Sequence, residues 1–242
     1  MPKNAALLLI GHGSSRYPGA ADLLQRHAAT LRNAGHRVAV GMLNGSPSVA
    51  DALRDLPDAA IRAVPFFMED GYFTRFAIPR ALGDIPVHLC PPVGIHPAMP
   101  ALIRDQAAAS CARLGLLPGR TAVLLIGHGS ASAPGRRLAL HDHGAAVAAA
   151  GGFARVETAC LEEPPFVADV LRQLRACPVI AIGYFANLAS HVREDVPALL
   201  NVEQAQRGCM DTPVHFAGNV TENPRMVEVI LDQAGLGDTE GG

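Results

Sequence analysis

Two imidazoles and a carboxylate, His128, Glu162 and His191, are the side chains of this sequence best suited to hold a transition metal. Nitrogen and oxygen ligands of this kind suit Co, Ni, Fe or Zn, and so small a set leaves coordination positions open. Neutral imidazole, with an ordinary pKa of about 6.5, also accepts a proton at neutral pH. A carboxylate beside it offsets the charge of a dication and passes protons outward. Each residue alone has a plainer reading. His128, within Gly127-His128-Gly129-Ser130, fits a histidine bonded to its own turn. Glu162 and Glu163 precede Pro164-Pro165 and fit solvated loop charges, while His191 fits an exposed position near a helix start. Arg193, Glu194 and Asp195 either orient His191 or form a solvated helical face. Only a fold that gathers three distant segments makes a site of them.

A repeated stretch suggests such a fold. Leu-Leu-Ile-Gly-His-Gly-Ser at 124–130 has a twin at 8–14. A short uncharged apolar run closed by glycine reads as a strand buried on both faces. The glycines allow a sharp turn, and Ser14 or Ser130 is placed to cap a following helix. His12 or His128 then stands at the carboxyl end of a buried strand, where open parallel sheets bind ligands.

Strand and helix patterns alternate through the first half, with strands over 5–11, 37–43, 61–68 and 87–93 and helices near 19–34, 48–56, 74–82 and 98–116. That alternation implies βαβ units in a parallel sheet with right-handed crossovers. The second half repeats the order. Gly11-His12-Gly13-Ser14 matches 127–130 at an offset of 116, Val49-Ala50-Asp51 matches Val167-Ala168-Asp169 at 118, and Pro86-Val87-His88 matches Pro213-Val214-His215 at 127. The step from 118 to 127 is a nine-residue insertion around 201–211. Ordered matches with slowly growing offsets indicate duplication; a flavodoxin-like topology shared without duplication is the alternative. The expected architecture is α/β, with two similar domains at 1–117 and 118–242, linked near Leu117-Pro118-Gly119. Each is expected to be a four-stranded parallel sheet flanked by helices, the pair related by a pseudo-two-fold around a cleft.

Composition narrows the function classes. A net charge of −2 without a basic cluster argues against nucleic acid, and aromatics at 5% without Trp leave no platform for stacking bases. No apolar run approaches the roughly 18 residues of a membrane span. The first residues lead straight into a strand pattern, and five scattered cysteines without a Cys-x-x-Cys pair suit a reducing cytosol rather than iron–sulfur or structural zinc sites. The expectation is a cytoplasmic protein, monomer or homodimer. No Gly-x-x-x-x-Gly-Lys loop provides for a nucleotide, and no Gly-x-Ser-x-Gly elbow supports a hydrolase. The halves differ in sign: 11 basic and 8 acidic residues over 1–118 give +3, and 9 and 14 over 119–242 give −5. Such halves either dock on one another or divide an anionic ligand and a cation between them.

The copies differ at the strand ends. His128, Glu162 (beside Glu163) and His191 in the second correspond to His12, Asn44 (beside Gly45) and Phe73 in the first. The second copy is therefore expected to carry the chemistry and the first to be a retained scaffold. His141 and His143, flanking Asp142, fall on a helix and read as surface or domain-interface residues, whereas His88 and His215 read as structural.

The apolar run into Gly-His-Gly-Ser, the Leu161-Glu162 step and His191-Val192-Arg193-Glu194-Asp195-Val196-Pro197 together resemble the sirohydrochlorin cobaltochelatase family of ATP-independent tetrapyrrole chelatases, in two tandem modules over nearly the whole chain. The resemblance implies insertion of a divalent metal into sirohydrochlorin or a related tetrapyrrole during cobalamin synthesis. Co(II) is the first expectation, and a siroheme ferrochelatase, a nickel chelatase or a non-catalytic metal- or tetrapyrrole-binding derivative are the alternatives. It further implies that His128 and His191 bind the metal with Glu162 assisting, and that no nucleotide is required. A substrate rich in carboxylates calls for Arg and backbone N–H partners; Ser130, Arg16, Arg75, Arg80, Arg136 and Arg137 are the candidates. Two departures stand out. Position 73 is Phe where the family has His, and the surviving site lies in the second module, whereas long members often keep it in the first.

Overall fold

The computed structural model describes residues 5–15, 18–56, 60–130, 138–187, 194, 196–207 and 212–237, with backbone alone for 206 and 207. The first half forms β1 (Ala6–Gly13), α1 (Asp22–Asn33), β2 (Val38–Asn44), α2 (Val49–Arg54), β3 (Ile61–Pro65), α3 (Ile78–Leu82), β4 (Val87–Leu89) and α4 (Met99–Leu114). The second forms β5 (Ala122–Gly127), α5 (Ala139–Ala149), β6 (Arg155–Cys160), α6 (Val167–Gln173), β7 (Val179–Gly183), α7 (Val196–Arg207), β8 (Val214–Asn219) and α8 (Met226–Gln233). Two parallel sheets result, ordered β2-β1-β3-β4 and β6-β5-β7-β8. The expected α/β class, two four-stranded parallel sheets flanked by helices, is therefore what folds.

Burial explains the apolar runs. Leu7 to Ile10 and Leu124 to Ile126 are fully buried because each run is an interior strand of its sheet with helices packed on it. Leu8 and Ile10 pack with Val49, Ala52 and Leu53 of α2 and with Ile78 and Leu82 of α3. The two-residue alternation of a strand sends Leu7 and Leu9 to the opposite face. Strands expected over 61–68 and 87–93 are shorter in the fold. Past Pro65 the chain leaves the ladder but stays hydrogen-bonded, Phe66 N–H donating to the Ile10 carbonyl at 2.8 Å, and after Leu89 the pair Pro91-Pro92 removes the donors a strand needs.

The compact units are Met1–His96 with Pro224–Gly242, and Pro97–Asn223. They differ from the repeats expected over 1–117 and 118–242 by the exchange of one helix each. α4 buries Met99, Leu102, Ile103, Ala107 and Cys111, and it packs on β7, β8 and α5. α8 buries Met226, Val229 and Ile230 and packs beside α1. Buried His96 meets Asp232 of α8 at 2.9 Å, and Gln233 Nε2 donates to the Pro92 carbonyl at 3.3 Å.

Other details depart from the sequence reading. α1 starts after Ala21 and α5 after Leu138, neither with a side-chain cap, so Ser14 and Ser130 cap neither of these two helices. His143 is buried, its ring 5.9 Å from that of Tyr184, as its repeat counterpart His27 lies 5.6 Å from Phe66; it is a core residue, not a surface one. His141 Nδ1 shares a 2.7 Å hydrogen bond with Thr158 Oγ1. His215 accepts from Arg113 at 3.0 Å, and burial, helped by the charge of Arg113, holds its pKa below the ordinary value. His88 is exposed on the edge strand β4. No helix among the described residues is long and apolar enough to cross a membrane.

One buried amide fixes the exit of β7. Phe185 N–H donates to Asn219 Oδ1 at 3.0 Å, and Asn219 Nδ2 donates to the Phe185 carbonyl at 2.8 Å and to Thr221 Oγ1 at 2.7 Å. Asn219 is 1% exposed, so water cannot replace these bonds. Asn219→Ala leaves the buried Phe185 N–H without its acceptor and the Phe185 carbonyl with Thr221 Oγ1 alone, which costs about 2–4 kcal/mol. The expected Tm, read by calorimetry, falls by roughly 5–15 °C; an unchanged Tm would show that the amide does not anchor this exit.

Candidate metal site

The second sheet places His128 immediately after β5 and Glu162 two residues after β6. Pairing of these strands continues past their ends. Leu161 N–H donates to the Gly127 carbonyl at 3.1 Å, and Glu162 N–H to the His128 carbonyl at 2.9 Å. Parallel pairing puts both side chains on one rim, with His128 Nδ1 3.5 Å from Glu162 Oε2. That is longer than the 2.7–3.2 Å of a good hydrogen bond. Both side chains are about half exposed, at 57% and 50%, so the donors are open to an incoming ion. A cation roughly 2.0–2.1 Å from each, the usual range for imidazole and carboxylate ligands, would subtend roughly 115° there, close to a tetrahedral angle. Among the described residues no group of three His, Cys, Asp or Glu converges on one point. His191, Arg16, Arg136 and Arg137 lie outside the described residues.

Glu163 is the site residue that the sequence reading undervalued. Its side chain is 3% exposed, and its Oε1 accepts the Ser130 N–H at 3.0 Å. Gly129 between them has φ +75°, and a Cβ there would stand 2.8 Å from both Cys160 Cβ and Glu163 Cγ. Glycine is required by conformation and by space. The one available signal was the repeat itself, which sets Glu163 opposite Gly45.

The first sheet shows the alternative outcome. His12 Nδ1 lies 2.9 Å from the Gly13 carbonyl, and its ring meets Phe73 edge-on at 4.6 Å. Asn44, opposite Glu162 in the repeat, is exposed. Phe73 opens a π-helical turn, Phe73–Ala77; Tyr72 just before it and Phe76 within it are exposed by 68% and 64%. Thr74 and Asp70 tie down the start of this turn: Thr74 Oγ1 donates to Asp70 Oδ1 at 2.6 Å and accepts the Gly71 N–H at 2.8 Å. Arg75 donates twice to Asp70, at 2.8 and 3.1 Å, and its hydrogen bonds to that carboxylate hold its pKa above the ordinary value. Among the described residues, the rim of the first sheet is thus one imidazole among aromatic rings, with Arg75 engaged.

The model of the family CbiX matches residues 6–110 and again 122–235. The chain belongs to the CbiX family. A probable sirohydrochlorin cobaltochelatase of Halobacterium salinarum is 26% identical over 95% of this chain and 90% of its own length. The structure of CbiX described as the terminal enzyme of siroheme biosynthesis in denitrifying bacteria superposes with a TM-score of 0.70 at 28% identity, covering 94% of this chain and 97% of that one. A multi-domain Deinococcus radiodurans protein, described as similar to chelatases with two additional domains, aligns with a TM-score of 0.81 and 27% identity. The match covers 98% of this chain and 56% of that protein, so the chain spans little more than half of its length. Two family matches in tandem account for the internal repeat, and the linker separates them.

Proposed function

We propose that this protein is an ATP-independent chelatase that inserts Co(II) into sirohydrochlorin or a closely related tetrapyrrole. The observation that carries the proposal is the His128–Glu162 pair, open on the rim of the second sheet of a chain built from two CbiX modules. Metal insertion requires a dication to enter the ring while two pyrrole N–H protons leave. Imidazole and carboxylate together perform both tasks. His128 holds the ion through a neutral ring nitrogen, and Glu162 lowers the cost of bringing a double positive charge to the rim and accepts protons as they depart. We assign His191 as a second imidazole ligand, from its place in the repeat opposite Phe73. A set this small holds an ion weakly enough to release it to four pyrrole nitrogens. Arg75, engaged with Asp70, has fewer N–H groups left for a substrate carboxylate. We place the protein in the cytoplasm, where the four described cysteines, all free thiols, are stable.

The test is anaerobic metallation of sirohydrochlorin followed by absorbance, with Co(II), Fe(II) and Ni(II) in parallel. Co(II) insertion well above the uncatalysed rate is expected. Faster insertion of Fe(II) or Ni(II) would reassign the metal. Tight binding of metal and macrocycle without turnover would make the chain a binding protein and overturn the enzymatic reading.

A further inference from the structure

Burying a carboxylate costs several kcal/mol unless hydrogen bonds compensate it. Glu163 is nevertheless buried directly beneath the turn that carries His128. At the corresponding position the first module has a glycine. Its Gly45 has φ +101°, and a Cβ there would stand 3.0 Å from the Ser14 carbonyl oxygen, so backbone approaches backbone. Where the module with the imidazole–carboxylate pair has a buried carboxylate, the other has a glycine.

From this contrast we infer that Glu163 is the positioning residue of the metal site: by accepting the Ser130 N–H it holds the 127–130 turn so that His128 faces Glu162. Two restraints act on that turn. Glu162 N–H donates to the His128 carbonyl and fixes the residue on one side, and Glu163 Oε1 fixes the turn two residues on. Between them Gly129, at φ +75°, lets the chain bend over the Glu163 side chain. Without the second restraint, His128 stays attached at its carbonyl while its ring swings away from the Glu162 carboxylate. The inference deepens the chelatase reading and rests on His128 and Glu162 being ligands; the reach of Glu163, not its charge, is what counts.

Two substitutions separate reach from charge. Glu163→Gln keeps the length and an acceptor oxygen and loses the charge. Glu163→Asp keeps the charge but is one C–C bond, about 1.5 Å, shorter and cannot span to Ser130. Co(II) affinity and the visible d–d spectrum are measured on the full chain, together with hydrogen exchange of the Ser130 amide by NMR. The Gln variant should keep near wild-type affinity, spectrum and protection. The Asp variant should lose Ser130 protection, shift the Co(II) bands and bind about 10–100-fold more weakly, the usual cost of removing an outer-shell support. The reverse order of the two variants would make charge the operative property, and two unaffected variants would leave Glu163 without a role; either overturns the inference. Wild-type protein that takes up no Co(II) would refute the metal-site reading, while the Ser130 exchange data would still decide whether Glu163 holds the turn.

Discussion

His128→Ala should reduce metallation of sirohydrochlorin by more than 100-fold, above the roughly 10–100-fold that outer-shell changes cost at metal sites. The residue supplies one of the two donors that the structure brings within 3.5 Å, and nothing else described on that rim replaces an imidazole. Glu162→Ala should follow it closely. His12→Ala is the informative comparison. Its ring bonds Gly13 and packs on Phe73, so its loss should change the rate by no more than about twofold, the scale of a substitution away from the chemistry. Steady-state rates at saturating Co(II), with Tm measured on each variant, decide the matter. Equal losses at His12 and His128 would show that the first module takes part in the chemistry.

The second large effect is a gain. Asn44→Glu with Phe73→His should raise Co(II) binding from about one to about two equivalents per chain, because it restores an imidazole–carboxylate–imidazole set, a donor combination that accepts Co(II). His12 and Phe73 have ring centroids 4.6 Å apart, so an imidazole at position 73 starts near the one it must join. Asn44 lies level with Gly13 in the β1–β2 register, next to His12. Equilibrium dialysis with cobalt analysis reads the stoichiometry directly. One equivalent in the double variant would mean that more than two side chains separate the modules, with the Glu163–Gly45 difference the first to examine.

Much of this was legible in the residues because the repeat carried it. Gly-His-Gly-Ser after an uncharged run located both central strands, and parallel pairing forces residues after β5 and β6 onto one rim. Sequence spacing does not say how far a chain travels before its next element. Ser14 and Ser130 sit next to a helical pattern, but α1 and α5 begin only at Asp22 and Ala139. His143 looked polar and helical, but the face it occupies turns inward onto Tyr184. Glu163 was hidden by chemistry, since a carboxylate next to two prolines reads as solvated until its acceptor role toward a distant N–H is visible. The helix exchange was equally invisible, because the apolar face of α4 fits either sheet by pattern alone.

That exchange bears on how the protein came to be one chain. A lone repeat with this connectivity would keep its last helix away from its own sheet and leave part of that sheet uncovered. It would reach a closed core only as a domain-swapped homodimer, each copy lending its terminal helix to the other. Fusing two copies makes the lending intramolecular and replaces a concentration-dependent association with a fixed effective concentration. Once the partner is guaranteed, selection can act on the two copies separately.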